Sequence, residues 1–198
     1  VLPQGAFHFV AGSLGDLVEQ LGPQDVLAFT GSADTGAKLR GARSVVARST
    51  RVNIEADSLN SAVLAPGVAP GDDVYRIFLR DVAKEMTQKT GQKCTAVRRI
   101  LVPEARLADL REALCEELSR CKPGNTAVDG VTMGPVATAS QLRDVRAGIA
   151  YLAAQAEIAI GGPEPVQGLG APEGKGYYVR PTLLVAKDAF AADRVHSH

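Results

Sequence analysis

The chain of 198 residues carries 22 basic and 22 acidic side chains, so its formal net charge at pH 7 is zero, and 45% of its residues are hydrophobic. This balance gives no overall positive field for nucleic acid or an anionic membrane, and no apolar run reaches the roughly 18 residues of a membrane-spanning helix. The three cysteines, Cys94, Cys115 and Cys121, lack the paired spacing of a disulfide framework or a zinc site. We expect a cytoplasmic protein without a nucleic-acid, membrane or metal partner.

Strand-like and helix-like patterns alternate along the chain, which favours an α/β fold. Strands are predicted at residues 7–10, 26–29, 52–54 and 97–102. Helices are predicted at residues 72–88, at 104–120 with a buried stripe of Leu107, Leu110, Leu114 and Leu118, and at 140–154 with Ser140 as the N-cap. Cys115 lies beside the leucine stripe and is expected to be packed, and residues 161–176 read as a surface loop.

The second predicted strand ends in Phe29-Thr30-Gly31-Ser32, after which a helix is expected to begin. A strand, a Gly-Ser turn and a helix N-terminus suit a pyrophosphate, because unsatisfied N–H groups and the helix dipole both point at the anion. The same pattern is also typical of an ordinary strand-to-helix turn in which Thr30 or Ser32 is the N-cap. The residues alone leave both interpretations open.

Two further positions carry reactive groups. Glu55 follows a short strand-like alternation, and Cys94 follows a glycine turn and a cation in Gly91-Gln92-Lys93-Cys94. Cysteine attacks only as the thiolate, whose formation a neighbouring cation and backbone N–H groups favour. A lone cysteine beside a lysine is nevertheless more often an inert packing residue.

Together these segments resemble the aldehyde dehydrogenase family along essentially the whole chain. Phe29 to Ser32 resembles the family's cofactor-phosphate turn, Ile54-Glu55 its Glu-Leu-Gly-Gly segment, and Gly91 to Cys94 its Gly-Gln-x-Cys catalytic loop. Two later matches are Pro123-Gly124-Asn125 with Met133-Gly134-Pro135, and Gly176-Tyr177-Tyr178-Val179-Arg180-Pro181-Thr182. The resemblance implies an α/β fold with part of a Rossmann-like cofactor domain, residues 1–57, followed by part of the catalytic domain, residues 58–198.

One departure from the family pattern indicates which branch of the family the chain resembles. Residues 55–60 read Glu-Ala-Asp-Ser-Leu-Asn where the family usually has Glu-Leu-Gly-Gly-Lys-Ser. With Glu85-Met86-Thr87 and Gly91 to Arg99, this segment is similar to the dehydrogenases of phenylacetate and benzoate breakdown, which oxidise a CoA-linked semialdehyde. The resemblance implies NADP, or alternatively NAD, as cofactor, a small CoA-linked aldehyde as substrate, and a homo-oligomer in the full-length protein. It also leads us to expect an excerpt of a longer protein, because Val195 to His198 stops short of a later family segment.

The roles implied by this resemblance are specific. Cys94 is the nucleophile, Glu55 is the base that activates water for thioester hydrolysis, and Phe29, Thr30, Gly31 and Ser32 bind the cofactor. Asp57 is a rival for the base, but its place in the pattern makes it a supporting group. Lys93 is expected either to bind a substrate phosphate or to depress the pKa of Cys94.

Three alternatives remain at this point. The chain could be a non-catalytic binding or assembly module, which loss of cofactor binding would favour. It could be a general aldehyde dehydrogenase with an unrelated substrate. It could also be a thiol-redox protein, in which case mild oxidation should join Cys94 to Cys115 or Cys121.

Overall fold

A computed structural model describes residues 3–191 and divides the chain into two compact units, Val1–Ser58 and Leu59–His198. The sequence features at Val195 to His198 lie outside the described residues. Helices and strands occur in both units, which confirms the α/β class.

The first unit is organised around two parallel strands, β1 (Val26–Gly31) and β2 (Arg51–Ala56), both at positions predicted from the sequence. Its described helices are α1 (Leu17–Gln20), α2 (Ala33–Arg40) and α3 (Arg43–Ala47). Parallel strands need a crossover connection, and α2 and α3 supply it. Helix α2 lies close to the sheet because Gly36 has no side chain, since a Cβ there would lie 2.7 Å from the Ile54 Cγ2.

The strand predicted at residues 7–10 does not form, so that prediction is wrong. The segment is irregular, and the Phe7 and Phe9 side chains are 76% and 81% exposed. An alternating pattern makes a strand only when a neighbouring strand accepts its backbone hydrogen bonds, and the described residues offer these four none.

The second unit holds two further strand pairs and three longer helices within its described part. Strand β3 (Ser61–Val63) pairs in parallel with β4 (Arg99–Leu101), and β5 (Ala156–Ile160) pairs antiparallel with β6 (Leu183–Ala186). The helices are α4 (Asp73–Thr87), α5 (Leu107–Ser119) and α6 (Ala139–Leu152). All three predicted helices are confirmed within a few residues, and β4 is a shorter form of the strand predicted at 97–102.

The core of this unit lies where α4 and α5 pack together. Its buried members are Leu64, Tyr75, Val82, Ala83, Leu110, Leu114, Leu118 and Leu183. Three of the four leucines predicted on α5 are buried, whereas Leu107 is 37% exposed because it is the first residue of the helix. Cys115 packs against this cluster, as expected.

The N-cap of helix α6 lies two residues earlier than predicted, at Thr138 instead of Ser140. The Thr138 hydroxyl accepts a hydrogen bond from the Gln141 N–H, and the Gln141 side chain accepts one from the Thr138 N–H. This reciprocal capping box satisfies two N–H groups that would otherwise lack partners. Ser140 lies inside the first turn, where its hydroxyl is 2.9 Å from the Thr138 hydroxyl.

Candidate active site

The loop that carries Cys94 begins where α4 ends, and its backbone is unusual. Three consecutive residues, Lys89, Thr90 and Gly91, have φ angles of 52°, 59° and 70°. Only glycine adopts this left-handed conformation without cost, and each other residue there stores about 1–3 kcal/mol of strain. Such strain persists only where surrounding contacts enforce it, and it is typical of functional segments.

The contacts that enforce this backbone come from the segment after Met133. The Thr90 hydroxyl donates to the Gly134 carbonyl at 3.0 Å, and the Gln92 amide oxygen accepts from the Ala137 N–H at 2.9 Å. The Gln92 side-chain NH₂ also donates back to the Lys89 carbonyl at 3.1 Å. Two segments matched to family motifs in the sequence are therefore tied together in space.

Cys94 lies on a tight turn and is exposed. The turn runs from Lys93 to Ala96, closed by a hydrogen bond of 3.1 Å from the Ala96 N–H to the Lys93 carbonyl. The Asn60 side chain donates to the Cys94 carbonyl at 2.6 Å. The candidate nucleophile is therefore accessible to a substrate while its backbone is held on both sides.

Lys93 forms an ion pair that the sequence did not indicate. Its ammonium group lies 2.7 Å from a Glu85 carboxylate oxygen and 3.2 Å from the Gln88 side-chain oxygen, and only 19% of the Lys93 side chain is exposed. The other Glu85 oxygen is buried and has no hydrogen-bond partner among residues 3–191. This ion pair anchors the Cys94 turn to α4, which differs from both roles expected for Lys93. Glu85 lies in α4 and Lys93 lies beyond its end, so the helical pattern did not reveal the pair.

Glu55 lies in the first unit, exposed and second to last in β2. The parallel register places it opposite Thr30, so Glu55 and the turn at Phe29 to Ser32 occupy the carboxyl ends of neighbouring strands. In open α/β sheets this edge is where ligands bind. The structure thus brings together the predicted base and the predicted cofactor turn, while Cys94 belongs to the second unit.

The turn after β1 fits an anionic phosphate group. Ser32 is the N-cap of α2, since its hydroxyl accepts from the Thr35 N–H at 3.3 Å, and this settles the choice between Thr30 and Ser32 as the cap. Thr30, Gly31 and Ser32 are all exposed. Gly31 allows the Phe29 ring to lie against the turn, because a Cβ at Gly31 would lie 2.4 Å from the ring. The positive end of the α2 dipole is at this turn.

An anionic oxygen already occupies part of this turn. The Asp57 carboxylate accepts a hydrogen bond from the Ala33 N–H at 3.1 Å, and the Asp57 N–H donates to the Gly31 carbonyl at 3.2 Å. Asp57 is thus engaged with the backbone of the turn, which agrees with a supporting role. Its φ of 44° is left-handed, and it stands where the family pattern has a glycine. Aspartate tolerates this conformation better than most residues because its short side chain bonds locally.

We expect Asp57→Ala to destabilise the protein by about 1–3 kcal/mol, because it keeps a Cβ in a left-handed conformation but loses the compensating bond to the Ala33 N–H. Asp57→Gly loses the same bond but relieves the backbone, so it should be less harmful than Asp57→Ala. Denaturant unfolding of both variants of the native protein measures their free energies of unfolding and shows which variant is less stable. A glycine variant less stable than the alanine variant would contradict this explanation of the position.

The other two cysteines lie in apolar surroundings. Burial raises the pKa of the Cys121 thiol, and the hydrogen bond from the Thr132 hydroxyl partly opposes this rise. The Cys121 sulfur is 3.6 Å from the Met133 sulfur, and the structure shows no disulfide at any of the three cysteines. Between residues 3 and 191 we find no cluster of three or more metal-ligating side chains and no helix long and apolar enough to cross a membrane.

Comparison with known proteins identifies the family of the chain. The pattern of the aldehyde dehydrogenase family matches residues 1–193. The chain is 42% identical over 196 residues to 3,4-dehydroadipyl-CoA semialdehyde dehydrogenase of Aromatoleum evansii, covering 99% of this chain and 38% of that protein. It is 31% identical to a putative aldehyde dehydrogenase of Staphylococcus haemolyticus, covering 94% and 38%. The chain therefore spans a little over a third of the length of these relatives.

Solved structures give the same result. Gamma-glutamyl-gamma-aminobutyraldehyde dehydrogenase of Burkholderia cenocepacia superposes with a TM-score of 0.71 and 25% identity, over 86% of this chain and 32% of that one. Aldehyde dehydrogenase C of Pseudomonas syringae, solved with NAD+ and octanal, superposes with a TM-score of 0.69 and 26% identity, over 81% and 31%. The chain belongs to the aldehyde dehydrogenase family.

Proposed function

We propose that this chain forms the central part of a nicotinamide-dependent dehydrogenase that oxidises a CoA-linked semialdehyde to the carboxylic acid during the breakdown of an aromatic compound. The exposed Cys94 on its constrained turn carries the proposal. The substrate class is taken from the Aromatoleum relative, whose name specifies a CoA semialdehyde and which matches 99% of this chain.

In this reaction the Cys94 thiolate bonds to the aldehyde carbon and gives a thiohemiacetal. A nicotinamide cofactor, when bound, supplies the acceptor for the hydride that this carbon loses. The acyl group then remains on the Cys94 sulfur as a thioester. The negative charge that develops on the aldehyde oxygen needs N–H donors, and the Cys94 backbone N–H is one of them.

Release of the thioester requires water, and Glu55 is the proposed general base. A carboxylate that takes a proton from water makes it a stronger nucleophile toward the acyl carbon. Family members that transfer the acyl group to free CoA generally lack this glutamate, so its presence in this chain favours hydrolysis. The exposure of Glu55 at the end of β2, opposite Thr30, is consistent with access to a water molecule.

The cofactor is proposed to contact Phe29, Thr30, Gly31 and Ser32, and this role is supported by the exposed turn and the Ser32-capped helix. Resemblance to the branch favours NADP, while the Pseudomonas syringae structure was solved with NAD+. In the same proposal residues 1–57 belong to the cofactor domain and residues 58–198 to the catalytic domain, and the division after Ser58 lies next to that boundary. Homo-oligomerisation of the complete protein rests on the family resemblance, and a cytoplasmic location rests on the composition of the chain.

The test is to supply the native protein with 3,4-dehydroadipyl-CoA semialdehyde and either NADP or NAD in heavy-oxygen water. We expect cofactor reduction without added free CoA and an acid product that contains at least one heavy oxygen atom, which hydrolysis of the thioester supplies. The same aldehyde without its CoA group is the control for substrate class and should react more slowly. Absence of reduction with either cofactor, or a requirement for free CoA as acyl acceptor, would contradict the proposal.

A further inference from the structure

Asn60 joins two parts of the second unit that are far apart in sequence. It immediately precedes β3, and its side-chain NH₂ donates to the Cys94 carbonyl at 2.6 Å and to the Ala96 carbonyl at 3.4 Å. The shorter bond is made to the very residue that carries the candidate nucleophile. Because 34 positions separate Asn60 from Cys94, this contact fixes the Cys94 turn against a separate piece of the chain.

The backbone of Asn60 extends the same attachment. Its carbonyl accepts from the Arg98 N–H at 2.9 Å and from the Arg99 N–H at 3.2 Å. Arg99 then begins β4, which pairs with β3 from Ser61 onward. Asn60 therefore binds both ends of the segment that runs from Cys94 to β4. The Cys94 turn is followed within a few residues by this paired strand.

The chemistry of the side chain matters here. An asparagine amide offers two N–H donors on one nitrogen, and both contacts of this nitrogen are to carbonyl oxygens. An ionised carboxylate of the same shape has no donor and would repel the Cys94 carbonyl. With the Ala96 N–H bound to the Lys93 carbonyl, the Asn60 bond restrains the peptide groups on each side of Cys94.

We propose that Asn60 is a positioning residue that holds Cys94 in the geometry needed for attack on the aldehyde. This inference rests on the proposed function, since it assigns Asn60 a role through Cys94. Attack requires the sulfur to lie close to the carbonyl carbon along a narrow approach, and a displacement of about 1 Å can cost 10²-fold in rate. The Asn60 amide opposes such a displacement by fixing the Cys94 carbonyl.

The test compares Asn60→Ala, Asn60→Asp and the control Ser61→Ala in the native protein. Ser61 is the next residue, and within the described part of the chain its hydroxyl donates only to the Leu59 carbonyl, at 3.4 Å. The rate of the first cofactor reduction with 3,4-dehydroadipyl-CoA semialdehyde should fall about 10- to 100-fold in Asn60→Ala. The KM for the cofactor should stay unchanged, because the proposed cofactor turn lies in the first unit. Ser61→Ala should behave like the unmodified protein.

Asn60→Asp adds a pH signature that a merely structural role would not produce. Above the pKa of the new carboxyl group it is ionised and cannot donate, so the defect should equal or exceed that of Asn60→Ala. As the pH falls toward about 4, protonation restores one O–H donor, and the rate relative to the unmodified protein at the same pH should rise. A pH-independent ratio, or a normal first-turnover rate in Asn60→Ala, would overturn the proposal.

Hydrogen exchange separates this inference from the proposed function, because it needs no substrate. Loss of the Asn60 amide should speed exchange of the Ala96 N–H, which closes the Cys94 turn, with little change in α5. Unchanged exchange at Ala96 would overturn the positioning role even if Cys94 proved to be the nucleophile. If exchange is faster but the Cys94→Ala variant stays active, Cys94 is not the nucleophile. Asn60 would then hold the turn without any role in catalysis.

Discussion

Cys94→Ala is expected to abolish aldehyde oxidation in the native protein, with a fall in turnover of about 10⁴-fold or more. The alanine variant has no sulfur to bond to the aldehyde carbon, so neither the thiohemiacetal nor the thioester can form. Folding should be little affected, because the Cys94 side chain is exposed. Cofactor reduction in the presence of the CoA-linked semialdehyde measures the effect, and a thermal unfolding curve shows that the fold persists.

The other two cysteines supply matched controls. Cys115→Ala and Cys121→Ala remove thiols of the second unit that lie against apolar neighbours, so each should cost some stability and retain most of the activity. Alkylation near neutral pH should label the exposed Cys94 before Cys121, whose pKa is raised by burial. Retained oxidation by Cys94→Ala would exclude covalent catalysis at this position. A Cys94–Cys115 or Cys94–Cys121 disulfide on mild oxidation would favour the thiol-redox alternative.

The parts of the fold predicted correctly are those in which local sequence determines the outcome. Helix α5 follows from the periodic Leu110, Leu114 and Leu118, and β1 follows from a short apolar run that ends at Gly31. Strands β3, β5 and β6 were missed because they are short and are defined by partners distant in sequence. Residues 7–10 show the opposite error, since their strand-like pattern has no partner strand among the described residues.

In the candidate site, too, some features were predicted from the sequence and others were not. Motif resemblance identified Cys94, Glu55 and the turn at Phe29 to Ser32, but not the contacts that support them. The Asn60 bond to Cys94 joins positions 34 residues apart, and the Lys93–Glu85 ion pair joins α4 to the loop beyond its end. The contact of Asp57 could have been predicted from the sequence. An aspartate at a family glycine position indicates a left-handed backbone that the side chain must stabilise.

Glu55→Gln is expected to separate the two halves of the reaction. Glutamine cannot take a proton from water, so thioester hydrolysis should slow by about 10²–10⁴-fold, the range typical of a lost general base. The first hydride transfer does not require that water. Each active site should therefore reduce about one cofactor rapidly and then stop, and mass measurement of the Cys94 peptide should show the retained acyl group.

The control for Glu55→Gln is Asp57→Asn, because Asp57 is the rival carboxylate two residues further along the same segment. Asparagine tolerates the left-handed backbone at φ 44° and keeps an oxygen that can accept from the Ala33 N–H. It removes only the negative charge, so turnover should stay within a few-fold of normal if Glu55 is the base. A single-turnover burst in Asp57→Asn, with normal steady turnover in Glu55→Gln, would instead assign the base to Asp57. Glu55 is exposed opposite Thr30 in the strand pair, whereas one Asp57 oxygen accepts from the Ala33 N–H, so we expect Glu55 to be the carboxylate that activates the water molecule.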